Sequence, residues 1–428
     1  KSLKSLKLKL NEFSNIIENE RVTSGAFTQA RAKLNPTLFY ELNKKCYAQQ
    51  WYDAGEYKKY KGHRLLAVDG SKLRLPDSET TREEFGLIKI KNKQGVGSYT
   101  GAQSSVMYDL LNEFIIDSAL AHSKTGEDAL AIKHLEMCRE NDLIIFDRGY
   151  SGYVLFATII NKKADFICRC ASNAFGVVTE FLKDNDLVDT VVTLNSPKET
   201  RKKIIENILP ESLQLRLVKI VLKSGEVEVL ATSLLDKNIY RREDLDKLYA
   251  MRWGVETFYD KVKNRLALEN FSGKTAIAVK QDFYSTMLIT SIESEITGDV
   301  NDSLANETSS KYKQKVSKSV SFNAIKNNII DLLFSTDNDY HALVEQLKIL
   351  FALDNRVYFL IVQSVDYALF FKNCVKLVER QLFSLADGRE QNAELNRFRF
   401  RRAKIHFRVA KVFLKRILLG LLLKLNAR

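Results

Sequence analysis

The sequence predicts an α/β domain, interrupted by a β-rich insertion and flanked by helical regions at both ends. Three observations carry that expectation. Short apolar runs of strand character alternate with helix-period segments between about residues 61 and 170. From Ala171 to Leu235 the text becomes richer in β-branched residues with polar breaks. Outside these stretches it reads helical, and four prolines and 18 glycines in 428 residues are few enough to favour long helices.

Residues up to about Tyr60 read as helices. Within them SGAFTQARAKL has Ser24 as a start signal and Pro36 as a stop. Gln29, Arg31 and Lys33 share a face there, which suits either a small DNA-reading module or a helical pedestal. Three strands follow at Arg64–Ser71, Ser104–Leu111 and Glu113–Ala121, the last two meeting at a hairpin-like junction, Asn112. A helix is expected from about Gly126 to Cys138, with the acidic first turn Glu127 and Asp128. LIIFD (Leu143–Asp147) is the continuous apolar run of a buried parallel strand. A helix at Tyr153–Ile160 and a strand at Asp165–Cys170 complete the order. Three strands, a helix, a strand and a helix open an RNase H-like fold. In the insertion VVTEFL, TVVTL, LRLVKIVL and VEVLATSLL read as β segments before helical text resumes at Arg241.

The formal net charge is +13. From Gln391 to Arg428 eleven Lys or Arg face one acid, Glu394, and Arg397, Arg399, Arg401, Arg402 and Lys404 alternate with apolar residues. Such a stripe suits a polyanion, whose phosphates release counterions on neutralisation, or the solvated face of a packed helix. The run Ile417–Leu425 is too short to span a bilayer, so no membrane partner is expected. Five cysteines, odd in number and without a CxxC pair or a signal peptide, read as the reduced thiols of a cytoplasmic protein. The five histidines show no ligand spacing. The chain opens on Lys1 rather than Met, so a short preceding piece is expected.

Two acids close strands. AVDGS ends one on Asp69, followed by Gly70, which permits close approach of a ligand or backbone. FDRGY ends another on Asp147, followed by Arg148 and Gly149. Open α/β sheets place their sites at such carboxyl ends. A third acid, Glu256, lies in YAMRWGVETFYDKVKNRLALENFSGKT. At about 100° per residue, Tyr249, Arg252, Glu256 and Lys263 fall within roughly 60° of one another beside an apolar band. Three carboxylates from two strands and a helix suit Mg2+ or Mn2+, and two such ions can activate an attacking oxygen and stabilise a leaving one. Tyr249, Arg252 and Lys263 would then reach flanking phosphates, with Lys263 about 10 Å beyond Glu256. Arg148 is a further phosphate candidate, or a salt-bridge partner of an acid in the site. Arg169, opposite Cys168 and Cys170, is another.

These residues resemble the DDE transposases of bacterial insertion sequences, of the insertion-sequence-four type. That family's signature helix reads Y-x2-R-x3-E-x6-K, and Tyr249, Arg252, Glu256 and Lys263 match every position. Trp253 and Phe258 fall where the family commonly has aromatics, and DGS at Asp69 and DRGY at Asp147 match the blocks around its first two acids. SGAFTQARAKL and ENFSGKTAIAVKQDFYSTM also resemble family text, so the similarity runs from about residue 20 to 290.

The resemblance implies Asp69, Asp147 and Glu256 as catalytic metal ligands and Tyr249, Arg252, Lys263 and Trp253 on DNA, beside the secondary candidates Arg148 and Arg169. It implies two Mg2+ ions (Mn2+ substituting), nicking at terminal inverted repeats, and cut-and-paste strand transfer to target DNA by a nucleoid-associated homodimer. Some relatives pass through a DNA hairpin with a flipped base on an aromatic ring. The insertion has no Trp, leaving Phe175, Phe181 or a tyrosine for that task. The expected layout is an N-terminal helical, DNA-binding segment (1–60) and a catalytic domain in two parts (61–170 and 241–298). The β-rich insertion (171–240) separates those parts, and a basic helical region (299–428) serves dimerisation and DNA contact. The alternatives are a transposase-derived DNA-binding protein without strand transfer and a metal-dependent nuclease.

Overall fold

The structure is a computed structural model, and it describes residues 23–55, 57–92, 95–221, 225–306, 314–334 and 337–354. The basic stripe of 391–428 lies outside these, as does Cys374. The chain divides into two compact units, one of residues 57–74 and 85–260 and the other of the remainder.

The first unit is built on one mixed sheet. Its strands are β1 (Arg64–Arg74), β2 (Leu87–Asn92), β3 (Gly95–Asp109), β4 (Phe114–His122), β5 (Asp142–Phe146), β6 (Asp165–Cys170), β7 (Asp189–Asn195), β8 (Ser212–Val221) and β9 (Val227–Thr232). The order is β2-β3-β1-β5-β6-β9-β8-β7, with β4 paired to β3. Strand β1 runs antiparallel to β3 and parallel to β5, as Arg64–Leu65–Leu66–Ala67 and the apolar run of β5 require of central strands buried on both faces. The order expected at 61–170 is thus present. Strand β2 was missed, although LIKIKN alternates with period two.

The insertion is β-rich, but its strands do not form a sheet of their own. β9 pairs antiparallel with β6, and β8 and β7 follow, so the insertion lengthens the catalytic sheet at one edge. One reading there was wrong: VVTEFL is not a strand but part of a helix, Gly176–Lys183, whose Val178 and Phe181 are buried three apart. Three-residue spacing is helical, and the β-branched pair misled.

The sheet has two packed faces. Leu65 of β1, Leu143 and Ile145 of β5, Ile167 of β6 and Leu230 of β9 form a core with Leu245, Leu248 and Tyr249 of the helix Arg242–Met251. On the other face Phe156 of the helix Tyr153–Asn161 stacks on Phe166, with centroids 4.2 Å apart. There the helix Glu127–His134 also meets β1, β3 and β4. Its last residue, His134, is wholly buried, with Nδ1 2.8 Å from Asp117 Oδ2 and Nε2 2.9 Å from Ser105 Oγ.

The second unit is helical among its described residues. Thr23, not Ser24, caps the helix Ser24–Ala32, its Oγ1 accepting from the Ala26 amide. Arg31 is not a free DNA contact. Its guanidinium meets Asp282 at 2.8 Å and Gln281 at 2.7 Å, and also the Ser272 hydroxyl. That ties this helix to the long helix Ala276–Asn306, as a pedestal would. That long helix runs through residue 299, and the two compact units part at residues 260 and 261.

Glu295 of the long helix is buried, and burial pushes its carboxyl up to about 8, against Lys348 and with Asp299. A carboxyl raised above its unfolded value favours folding while protonated, so stability declines as pH rises from about 4.5 to about 8. Glu295→Gln is expected to flatten that decline by roughly 2–4 kcal/mol. Urea unfolding at pH 5 and pH 9 checks this, and equal pH slopes in both proteins would refute it.

Candidate active site

The register of β1 on β5 is the reason two distant acids meet. Ala67 pairs with Ile145, and continuing that offset carries Asp69 level with Asp147 at the carboxyl ends of neighbouring parallel strands. Paired residues project from the same face, so both carboxylates leave the sheet on the side of Leu65, Leu143 and Ile145. Asp147 caps a short 3-10 turn, Arg148–Tyr150, with Oδ1 2.8 Å from the Gly149 amide. Glu256 comes from the helix Trp253–Asp260, which packs on β1. Tyr259, one turn on, anchors that helix: its hydroxyl lies 3.3 Å from the Asp69 carbonyl oxygen and 3.4 Å from Ser104 Oγ.

The other two acids are felt at Asp69. Burial pushes the Asp69 carboxyl up to about 6; the Gly70 amide and Arg252 oppose this, while the charges of Asp147 and Glu256 add to it. Such a group of carboxylates is destabilised when fully ionised and is relieved by a cation. Its all-oxygen donor set fits a hard divalent ion. Among the described residues, however, no three His, Cys, Asp or Glu side chains already stand close enough to enclose a metal. Glu256 is instead engaged by Arg252, Nη2 to Oε1 2.5 Å.

The signature segment is not the single regular helix expected. A turn at Arg252 separates Arg242–Met251 from Trp253–Asp260, and a π-helical stretch, Lys261–Arg265, follows. Because i→i+5 winding turns less per residue, the spacing that aligned Lys263 with Glu256 fails beyond Asp260. Lys263 also belongs to the helical unit. Tyr249 and Arg252 are buried at 8% and 7% exposure, and the guanidinium carbon lies 5.7 Å from the ring centroids of both Tyr249 and Trp253. Trp253 is 63% exposed.

Of the two secondary arginines, Arg148 is exposed and makes no ion pair with the described residues. Arg169 sits on the same face as Tyr249 but is held by Glu228, Nη1 to Oε1 2.5 Å. Glu228 escaped sequence reasoning because only the β6–β9 pairing brings it there. Of the aromatics considered for a flipped base, Phe181 is in the core under the Lys219 ammonium, and Phe175 packs toward Phe156.

Residues 60–292 match the family described as Transposase DDE domain, and the chain belongs to that family. It is 24% identical over 271 residues to the transposase InsG for insertion sequence element IS4 of Escherichia coli (strain K12). That match covers 62% of this chain and 59% of the relative, so somewhat more than half of the relative's length is represented. A cryo-EM structure titled as a piggyBac transposase synaptic complex with hairpin DNA aligns with TM-score 0.38 and 12% identity. It covers 74% of this chain and 57% of that one, a likeness too distant to carry an argument. Among the described residues no helix is long and apolar enough to cross a membrane.

Proposed function

We propose that the chain is a DNA transposase that cleaves at the ends of an insertion sequence and joins the freed end to target DNA by a cut-and-paste route. The observation that supports this reading is the placement of Asp69 and Asp147 at the carboxyl ends of the neighbouring parallel strands β1 and β5, with Glu256 on the helix that packs on β1. Asp69, Asp147 and Glu256 would hold two divalent ions, Mg2+ or Mn2+. When bound, the ions supply activation of the attacking oxygen and charge stabilisation of the leaving one.

The chain's own residues supply placement. The Gly70 and Gly149 amides fix one oxygen each of Asp69 and Asp147, leaving the other oxygen of each for a cation. Arg252 neutralises Glu256 in the absence of DNA and turns to a phosphate when DNA enters, releasing Glu256 for the cation. Trp253, exposed beside it, presents an aromatic face to DNA, and Arg148 a free guanidinium. Tyr249 orients Arg252 from the buried side. Lys263 and Arg169 are assigned phosphate contacts on the signature and the shared face. The partner is double-stranded DNA carrying the terminal repeats and target, bound by a homodimer.

The test is strand cleavage of a labelled duplex bearing the element's end, with Mg2+ or Mn2+, by native protein and Glu256→Gln. Cleavage by the native protein alone, lowered on the order of 10³-fold or more in the variant with DNA affinity kept, is expected. Binding without cleavage by either protein would instead indicate a DNA-binding protein derived from a transposase. Cleavage with no joined product would indicate a nuclease.

A further inference from the structure

Asp69, Asp147 and Arg169 form one row across three neighbouring parallel strands. Ala67 pairs with Ile145 and Phe146 with Cys168, so the same offsets set Asp69 level with Asp147 and Asp147 level with Arg169. All three project from the face that carries Leu65, Leu143, Ile145 and Ile167. Adjoining strands lie about 4.8 Å apart, well inside the reach of an arginine side chain. An arginine beside an aspartate on the next strand is a ready ion pair. Here that pair does not form. Asp147 accepts from the Gly149 amide and makes no ion pair among the described residues.

Arg169 turns the other way. Its Nη1 donates to Oε1 of Glu228 on β9, the strand on the far side of β6. Arg169 pairs with Leu230, so Glu228, two residues before it, stands diagonally opposite on the same face. The Glu228 side chain is only 10% exposed, which leaves its charge little solvent.

The contact is a poor one for stability. Arginine and carboxylate commonly meet through two parallel bonds, as Arg64 and Asp142 do at the opposite end of the sheet. Arg169 and Glu228 share one, and the Arg169 Nε and Glu228 Oε2 are buried with no hydrogen-bond partner. The desolvation of those two atoms offsets much of what the contact contributes. Nor is the pair needed to join the strands, since β6 and β9 are already in register from Ile167 to Cys170. What the pair does accomplish is a choice of partner. Glu228 draws Arg169 away from the candidate active site, where Glu256 is itself held by Arg252.

We propose that Glu228 is a positioning residue: by holding Arg169 it keeps the guanidinium off Asp147, whose carboxylate stays unpaired. This rests on the transposase reading of Asp147 and deepens it. With the charge at 228 removed, the ionised Asp147 outcompetes a neutral amide for the guanidinium, because a charge-assisted bond is the stronger. Arg169 then closes over the acid it now stands clear of.

The test has two arms, both on the full chain. The first is thermal melting without DNA or metal, for Arg169→Gln, Asp147→Asn and the two combined, in the native and the Glu228→Gln backgrounds. Glutamine keeps the shape of the side chain at 228 and removes its charge. In the native background the two melting shifts should add, because the side chains do not meet. In Glu228→Gln they should fail to add by roughly 2–4 °C, the mark of a new pair. The second arm is cleavage of the labelled duplex end. Glu228→Gln should lower it about tenfold or more, and should lower it no further in a protein already carrying Arg169→Gln. A pair that merely pins β9 to β6 gives additive melting shifts in both backgrounds, and equal losses of cleavage with and without Arg169. Either of those results overturns the proposal. A native protein that does not cleave would sink the transposase reading, while the melts would still decide where Arg169 goes. If Glu228→Gln melts below the assay temperature, Glu228→Asp, whose shorter carboxylate loosens the pair, is judged by the same outcomes.

Discussion

Asp69→Asn is expected to abolish strand cleavage while making the metal-free protein more stable. The sign follows from the folded-state carboxyl, raised from 3.8 to about 6, first by burial. A raised acid contributes its stabilisation below its unfolded value, and that contribution is lost as pH rises through about 6. At pH 7.5 the ionised carboxylate therefore costs the fold something that asparagine does not. The upper bound is roughly 3 kcal/mol, and partial exposure of the group brings it to about 1–2 kcal/mol. Asparagine still accepts from the Gly70 amide, so the turn after β1 is kept. Thermal melts at pH 7.5 should show the variant above the native protein, with the gap closing at pH 4. Divalent metal should raise the native melting point and leave the variant's unchanged. Cleavage should fall on the order of 10³-fold or more. A variant less stable than the native protein at pH 7.5 would refute the claim that these acids strain the fold.

The largest purely structural effect is expected at the opposite end of the same two strands. Arg64 and Asp142 begin β1 and β5 as register partners, and Arg64 forks onto both carboxylate oxygens at 2.7 and 2.6 Å. Their side chains are only 4% and 2% exposed. Arg64→Met would leave a buried carboxylate whose remaining support includes the Arg139 amide at 2.7 Å. The cost is expected to be about 3–5 kcal/mol in urea unfolding. The pair Arg64→Met with Asp142→Leu should recover most of it, since two matched apolar groups leave no uncompensated charge. If the double variant is as unstable as the single, the loss lies in packing and not in the stranded charge. Because this pair fixes the register that brings Asp69 level with Asp147, a slip here also separates the acids.

The sequence by itself determined most of the strands of the sheet and pointed to the candidate acids. Continuous apolar runs named β1, β5 and β6, because strands buried on both faces leave no polar alternation. Acids placed where those runs stop named Asp69 and Asp147, and the Tyr-Arg-Glu-Lys spacing named Glu256. Each of these is a local signal, legible within about fifteen residues.

What only the tertiary structure decided is everything that depends on which strands become neighbours. Pairing of β9 with β6 joined the insertion to the catalytic sheet and brought Glu228 to Arg169. A run of β-branched residues at 176–183 became a helix because Val178 and Phe181 found a core to fill. Arg31, which by sequence suits either a DNA-reading module or a pedestal, found Asp282 some 250 positions away. The regular stripe of the signature helix was interrupted at Arg252 and after Asp260, where local periodicity yields to packing. Sequence periodicity records which side of an element is apolar, but long-range pairing chooses what that side meets.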